Sequence, residues 1–416
     1  MGIIVVAFLL RLAWALYATR RPMFLGDSYE YFFLGKQIAA GGGYLNMVNG
    51  EATAYYPVGY PSILGALFWF VEHSHLPIAP AMAAGLLNVA FGTASVVMVF
   101  VIARRAFGED VRVALVAAAI AAVFPNLVFF VATLNLETAF IFFALASLTV
   151  LATHDWSVGP PTRNRLLLFG AVLGVSSLVR PFSLPFLVAL VLAVLATGAG
   201  WRRALKALGW VVLPLVLVLV PWTVRNMRAL DSPVVFSTNM GDTVCLDRSP
   251  NATGRFVWAN HEGCADPALP EVERNAASIG KAVAFVREDP AREVRLMVQR
   301  GRLMMGEDHD GASDVEAGGK APFLGARLRA VLTSGADWFF YAAVALAAFG
   351  LLGCFGRRRP GRYLVSVPLL TLLIVPLGLW GNTRFHVPAL PFIAIAAAVA
   401  IVRIGDRLRR RTRIAV

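Results

Sequence analysis

Long apolar runs, separated by short stretches of polar and basic residues, make up most of this 416-residue chain. A helix needs about 20 apolar residues to cross a bilayer core roughly 30 Å thick. Ten runs come near that length, and they cover residues 3–19, 80–103, 113–130, 136–153, 165–180, 182–199, 208–223, 336–355, 363–380 and 387–403. The pattern therefore predicts an all-α polytopic membrane protein with about ten transmembrane helices.

Two long polar segments interrupt this pattern. The first, residues 20–79, contains a short apolar run at 61–71, which predicts a juxtamembrane or re-entrant helix. The second, residues 224–335, is expected to have mixed structure. Helical spacing of apolar residues at 271–300 predicts helix, whereas the stretch 306–321, rich in Gly, Asp and Ala, predicts a mobile loop.

Composition agrees with a membrane protein. Hydrophobic residues make up 58% of the chain and charged residues 15%, below the roughly 25% of soluble domains. The net charge is +13, but the basic residues lie in short loops between apolar runs. Because no basic stretch is interleaved with aromatic residues, the pattern argues against nucleic-acid binding and for contact with a lipid bilayer.

The distribution of charge predicts the orientation of the chain. With the N-terminus in the cytoplasm, the loops and tail on that side carry 18 basic and four acidic residues. Positive residues concentrate on the cytoplasmic side of membrane proteins. We therefore expect a multi-pass protein of the inner (plasma) membrane with both termini in the cytoplasm. Residues 1–223 form a transmembrane module that includes outer loop 20–79, residues 224–335 an extracytoplasmic segment, and residues 336–416 the last helices and a basic tail.

The first outer loop contains the best candidate for chemistry. Asp27 follows the first predicted span, and Tyr29, Tyr56 and Tyr60 lie near it in sequence. A carboxylate there could act as a general base at the membrane surface, or it could cap a helix beside an interfacial aromatic belt. Further acidic candidates are Glu30 in the same loop and Glu137 at the start of a span, where an acid could also stabilise the helix start.

Three arginines lie at predicted outer ends of helices, namely Arg180, Arg225 and Arg384, and His386 lies beside the last of them. Guanidinium groups bind phosphate through paired hydrogen bonds, but arginines at these positions also extend to lipid headgroups. Arg11 lies deeper in the first span, where it could pair with an acid such as Glu137 or have a structural role.

The cysteines leave two alternatives open. Cys245 and Cys264 both fall in the second polar segment, so they could form a disulfide in an oxidising compartment or remain free thiols. No Cys or His spacing indicates a metal site. A divalent ion could still help to bind a phosphate, but the sequence indicates no ligands for it.

Several short motifs occur in a fixed order: GDSYEY, AYYPVGYP, LNLETAF, LVRPF, PWTVRNMRALDSPVVFSTNMGD, NATG and RFHVPALPFIAI. Together they resemble the GT-C superfamily of membrane glycosyltransferases, in particular the bacterial protein mannosyltransferase and aminoarabinose transferase group. The resemblance covers roughly residues 1–260 and 380–403. It implies transfer of a monosaccharide from a polyprenyl-phosphate carrier to a lipid, a cell-envelope glycan or a protein on the outer face.

The resemblance also implies roles for particular residues. An acid in the first outer loop acts as general base in this superfamily, and Asp27 is the matching position. Ser28 stands where many members have a second acid, which leaves Glu30 or Glu137 for any such role. Arg384 matches a basic position of the family and is the leading candidate to bind the donor phosphate, with Arg225 and Arg180 as further candidates. Direct displacement would invert the anomeric centre.

Two other functions share this topology. A transporter or flippase of lipid-linked substrates predicts ionisable residues at mid-span and paired broken helices, and only Arg11 meets the first expectation. An outer-face polysaccharide polymerase or ligase would use a diphosphate-linked oligosaccharide as its donor. Assays with both types of donor distinguish this enzyme from a monosaccharide transferase.

Overall fold

A computed structural model describes residues 1–23, 26–108, 110–255, 263–266, 268–317, 322–355 and 359–414. The helices in these ranges are α1 (Gly2–Ala18), α2 (Asp27–Ala39), α3 (Gly59–His73), α4 (Pro80–Phe107), α5 (Val111–Val123), α6 (Pro125–Phe129), α7 (Glu137–Ala152), α8 (Arg163–Val179), α9 (Phe186–Ala196), α10 (Trp201–Ala229), α11 (Met240–Leu246), α12 (Glu271–Glu288), α13 (Pro290–Met304), α14 (Asp310–Ala317), α15 (Ala326–Leu351), α16 (Tyr363–Ile374) and α17 (Leu390–Ile414). Within the described ranges the fold is helical and has no β-strand.

Every apolar run that predicted a span contains a helix, which confirms the fold class. Five helical segments are long and apolar enough to cross a membrane: Pro80–Phe107, Trp201–Ala229, Ala326–Cys354, Pro360–Gly378 and Thr383–Arg410. Helices α1, α5, α7 and α9 are apolar but shorter. The number of crossings, about ten, stays a prediction.

The predicted span 113–130 is interrupted at Pro125. Helix α5 ends at Val123 and Pro125 starts the short α6, because proline cannot donate the backbone hydrogen bond that a continuous helix requires. Arg11 donates to the Ala121 and Ala122 carbonyl oxygens near this break, at 3.0 and 2.9 Å. Of the two alternatives for Arg11, these contacts support the structural role, since its guanidinium binds the backbone at the end of α5.

Helix α17 forms the centre of the bundle. Its N-terminal half is buried, and it packs against α15 and α5. Small residues allow this packing: a Cβ atom added to Gly350 of α15 would overlap the carbonyl oxygen of Ala396 in α17. Close backbone approach between small residues is the usual way in which membrane helices associate.

In the described ranges, the two polar segments consist of helices joined by loops. Helices α2 and α3 of the first segment pack together, and α3 occupies the place of the predicted short helix. In the second segment α12 and α13 confirm the helix predicted at 271–300, divided at Pro290. The described part has helices and loops rather than the mixed structure we expected.

The stretch 306–321 differs from its prediction. Residues 310–317 form α14 instead of a mobile loop, and residues 318–321 lie outside the described ranges.

Cys245 and Cys264 form a disulfide with a Cα–Cα distance of 5.9 Å, which links α11 to the loop before α12. Two of the basic residues used to predict orientation, Arg357 and Arg358, also lie outside the described ranges.

The contact between α15 and α17 can be tested with two glycines of one helix. We expect Gly350→Ala to destabilise the protein by roughly 1–3 kcal/mol, because the new methyl group meets backbone rather than a movable side chain. Gly335→Ala is the matched control, since nothing lies within 4 Å of its added Cβ. Thermal unfolding in detergent measures both, and equal melting temperatures for the two variants would contradict this packing.

Candidate active site

The guanidinium group of Arg384 contacts acidic side chains from distant parts of the chain. Its Nη1 donates to Asp27 Oδ2 at 3.0 Å, and its Nη2 and Nε donate to Glu137 Oε1 at 2.9 and 3.2 Å. Asp314 Oδ2 lies 3.9 Å from Nε, and Arg180 Nη1 lies 3.6 Å from Glu137 Oε1. We call these five residues the Arg384 cluster. Charges of both signs thus meet at one end of the helical bundle.

Local structure fixes the position of Arg384. The residue lies in a short 3₁₀ turn that precedes α17, and its backbone N–H donates to the side chain of Asn382 at 2.7 Å. Pro388 follows, and its missing N–H prevents α17 from extending back through this turn. The side chain is therefore held at the start of the central helix instead of along its face.

Glu137 is the most buried acid of the cluster. It is the first residue of α7, and only 1% of its side chain is exposed. The guanidinium of Arg180, on the other side of this carboxylate, stacks on Phe182 and Phe385 at 4.2 and 4.9 Å from the ring centroids. Two arginines hold Glu137, so its carboxylate orients them and is poorly placed to reach a substrate.

Asp27 is more accessible, with 38% of its side chain exposed. It is the first residue of α2, and the Tyr56 hydroxyl donates to its Oδ1 at 3.0 Å. Glu30 lies one helical turn further along α2, where burial and the nearby Asp27 charge raise its pKa. A partly exposed carboxylate with one oxygen on a tyrosine and the other on an arginine is oriented for proton transfer.

The tyrosines of the first polar segment have different positions. Tyr56 touches Asp27, as described above, and Tyr31 packs edge-to-face against Tyr56 and Tyr60, with centroids 5.2 and 5.5 Å apart. Tyr60 is buried behind Tyr31, and Tyr29 is half-buried on α2. Of the three predicted pocket tyrosines, Tyr56 is therefore the one that contacts the cluster.

Asp314 is a member of the Arg384 cluster that sequence reasoning missed. It lies on α14, within the stretch predicted as a loop, and Asn135 Nδ2 donates to its Oδ2 at 2.9 Å. Burial raises the pKa of Asp314 to about 7, although the Arg384 charge opposes the rise. The four-residue spacing of Asp310 and Asp314, which places both acids on one helical face, was the available signal.

His386 lies behind the cluster rather than in a pocket. It is fully buried, and its Nε2 is 2.8 Å from Asp308 Oδ1 while its Nδ1 is 2.5 Å from the Met304 carbonyl oxygen. Its ring stacks on Phe340, and Asn126 Nδ2 donates to the same Asp308 oxygen at 2.7 Å. These contacts attach the chain before α14 to the chain before α17.

The structure places Arg225 outside the cluster. Its guanidinium donates to the carbonyl oxygens of Tyr44 and Thr53 at 2.6 and 2.7 Å. Glu271, the first residue of α12, accepts from the Thr53 hydroxyl at 2.6 Å and the Ala54 N–H at 2.8 Å. Arg225 and Glu271 thus hold the turn that leads to Tyr56, which is a different position from that of a phosphate ligand beside Asp27.

A small cavity adjoins the cluster. Its polar lining comes from Arg20, Ser28, Thr133, Asn135 and Asp314. Among the residues that the structure describes, no three His, Cys, Asp or Glu side chains are grouped closely enough to hold a metal ion. The carboxylates of the cluster instead turn their oxygens toward guanidinium groups.

A family model for dolichyl-phosphate-mannose-protein mannosyltransferases matches residues 68–224. This range includes Glu137 and Arg180 and excludes Asp27, Asp314 and Arg384. No curated protein matches the sequence.

Solved structures match the whole chain. The archaeal oligosaccharyltransferase AglB from Archaeoglobus fulgidus, in complex with an inhibitory peptide and a dolichol-phosphate, has a TM-score of 0.53 at 14% identity. ArnT from Cupriavidus metallidurans, bound to undecaprenyl phosphate, has a TM-score of 0.56 at 15% identity. The chain thus shares its fold with these two proteins.

This finding confirms the resemblance drawn from the sequence motifs. The chain is covered completely in both comparisons, but it spans only 51% of the AglB chain and 63% of the ArnT chain. At these identities the likeness establishes a shared fold, and any reaction has to be argued from the side chains of the cluster.

The role of Arg225 can be tested separately from the cluster. Arg225→Ala should lower the free energy of unfolding by roughly 1–3 kcal/mol, because two carbonyl acceptors lose a charged donor. Arg228→Ala, an exposed arginine one turn along the same helix, should have little effect. Thermal unfolding of the two variants, with proteolysis of the turn at 44–53 as a second readout, checks this. Equal melting temperatures and equal cleavage would show that Arg225 does not hold the turn.

Proposed function

We propose that this protein is an integral-membrane glycosyltransferase that moves a monosaccharide from a polyprenyl-phosphate carrier to an acceptor, with Asp27 as the general base. The observation that carries the proposal is the pairing of Asp27 with Arg384 at 3.0 Å. It places a partly exposed base next to a cation at one end of a bundle of apolar helices.

The reaction requires one base and one anion site. The acceptor oxygen forms a bond to the anomeric carbon while Asp27 takes the hydroxyl proton, and the bond from that carbon to the phosphate oxygen breaks. The phosphate leaves with the electron pair as a stable anion, so it needs cations more than a proton. Arg384, with Arg180 behind it, supplies that charge. Attack from the side opposite the phosphate inverts the anomeric centre.

One acid therefore suffices for the chemistry, unlike glycoside hydrolysis, in which two carboxylates serve a poorer leaving group. Tyr56 orients Asp27, and the buried Glu137 aligns the two arginines. Glu30 lies too far along α2 to share the Arg384 contact and has no assigned step.

Two observations support a site on the extracytoplasmic side of the inner (plasma) membrane, with both termini in the cytoplasm. Basic residues concentrate in the loops and tail that would face the cytoplasm. The segment 224–335 carries the Cys245–Cys264 disulfide, a bond that persists in oxidising compartments outside the cytoplasm. A lipid carrier presents its phosphate at the membrane surface, where such a site would meet it.

The solved structures support the choice of a lipid-phosphate donor, since AglB binds a dolichol-phosphate and ArnT an undecaprenyl phosphate. The acceptor could be a lipid, a cell-envelope glycan or a protein. Because AglB is an oligosaccharyltransferase, a diphosphate-linked oligosaccharide is the alternative donor that an assay has to include. A transporter is less well supported, because the mid-span Arg11 binds backbone carbonyl groups.

The proposal is tested by Asp27→Asn, with Glu30→Gln as the matched control on the same helix. Loss of a general base should slow sugar transfer by about 10²–10⁴-fold, whereas Glu30→Gln should retain most of it. Both variants are reconstituted in liposomes with undecaprenyl-phosphate-linked hexoses or pentoses, and with a membrane lipid extract as acceptor.

A parallel reaction uses an undecaprenyl-diphosphate-linked oligosaccharide. Thermal unfolding confirms that each variant is folded. Transfer by Asp27→Asn at near the wild-type rate would overturn the proposed mechanism, and transfer from the diphosphate donor alone would replace it with a polymerase or ligase.

A further inference from the structure

The charges of the Arg384 cluster are unbalanced. Three carboxyl groups, on Asp27, Glu137 and Asp314, face two guanidinium groups. Each nitrogen of the Arg384 guanidinium lies within 3.2 Å of a carboxylate oxygen. A phosphate that approaches Arg384 therefore adds a negative charge where carboxylates already surround the cation. This is unfavourable in a partly buried site unless one acid becomes neutral.

The three acids differ in how strongly the arginines hold them. Asp27 and Glu137 each have a hydrogen bond of 3.0 Å or shorter to Arg384, and Glu137 also faces Arg180. Asp314 is 3.9 Å from the same guanidinium, and its close partner is the uncharged amide of Asn135. The carboxylate of Asp314 is thus the one with the least compensation by positive charge.

The Asn135 side chain has a hydrogen-bond acceptor that a protonated Asp314 could satisfy. Its Nδ2 donates to Asp314 Oδ2 at 2.9 Å, while its Oδ1 is buried and has no hydrogen-bond partner among the described residues. A carboxylate cannot donate to that oxygen, but a protonated carboxyl group can. A carboxylic acid and a primary amide form two hydrogen bonds side by side, so protonation of Asp314 would satisfy a buried acceptor.

The other charged groups around Asp314 favour the same change. Asp310 on its own helix, Glu137 on α7 and Asp27 on α2 raise its pKa, and Arg384 lowers it. Arg20, at the end of α1, lines the adjoining cavity. With burial as the largest cause, the pKa of Asp314 is raised to about 7, within reach of physiological pH.

We propose that Asp314 is a positioning residue that takes up a proton when a lipid phosphate binds to Arg384. The neutral carboxyl group then pairs with Asn135, and a phosphate beside Arg384 faces one negative charge fewer. This inference rests on the proposed function and adds to it a coupling between donor binding and pH. The proton comes from solvent, and no bond other than the O–H bond of Asp314 is formed or broken.

The sign of the coupling follows from the two forms of Asp314. Its carboxyl group is protonated below the pKa of about 7 and ionised above it. Because the bound phosphate favours the protonated form, affinity is highest at low pH and falls as pH rises through 7. One titrating group weakens binding by roughly tenfold between about pH 6 and pH 8.

The probe is the methyl ester of undecaprenyl phosphate, a phosphodiester that keeps a single charge over this pH range. Its affinity is measured for the full-length protein in detergent. The wild type should show the tenfold loss, and Asp314→Asn should bind equally at both pH values because an amide cannot ionise. Asp310→Asn is the comparison variant on α14: it should keep a pH dependence, displaced to lower pH because a charge that raises the pKa of Asp314 is removed.

A second measurement needs no variant. Calorimetry of the wild type at about pH 7.5, in two buffers with different ionisation enthalpies, should detect uptake of up to one proton per phosphodiester bound. Binding without proton uptake overturns the proposal, as does a pH dependence that survives in Asp314→Asn or disappears in Asp310→Asn. If the wild type binds no phosphodiester at any pH, the proposed function fails as well, so the two failures are distinguishable.

Discussion

The ion pairing of one largely buried guanidinium group, that of Arg384, constrains the rest of the site. A buried cation costs several kcal/mol unless charged partners compensate for its lost hydration. Its partners come from positions 27, 137 and 314, so the compensation exists only when the first polar segment, the bundle and α14 are assembled together. The same interaction that makes the cluster useful for an anion therefore fixes how the polar segments pack.

The acids of the cluster are also placed by helix geometry. Asp27 and Glu137 are the first residues of α2 and α7, where the positive end of the helix dipole stabilises a carboxylate. From the sequence, stabilisation of a helix start and a role in chemistry were alternatives for both residues. In the structure each of these carboxylates lies at a helix start and also binds Arg384, so the two alternatives hold together.

The sequence predicted the helices well because apolar runs of span length have few alternatives. It also identified Asp27, Glu137, Arg180 and Arg384 as candidates, from their positions at the ends of predicted spans together with the family motifs. Arg225 and His386 show the limit of that reasoning. A guanidinium that faces backbone carbonyls has the same sequence signal as one that faces carboxylates, and only long-range packing distinguishes them. Asp314 was missed for a related reason, because its partners lie far away in sequence.

The second polar segment does more than cover the site, since it holds the backbone that carries Arg384. Arg300 and Arg248 donate to the carbonyl oxygens of Leu377 and Gly378, at 3.1 and 2.9 Å.

Further along the same stretch of backbone, the Gly381 N–H donates to the Gly254 carbonyl oxygen at 2.7 Å, and Asp308 binds His386. The segment thus forms hydrogen bonds to the chain on both sides of Arg384, and it also contains Asp314. A ligand that moves α13 or α14 would necessarily move the cation or its acid. This segment, which the family model leaves unmatched, is therefore coupled to the Arg384 cluster through its hydrogen bonds.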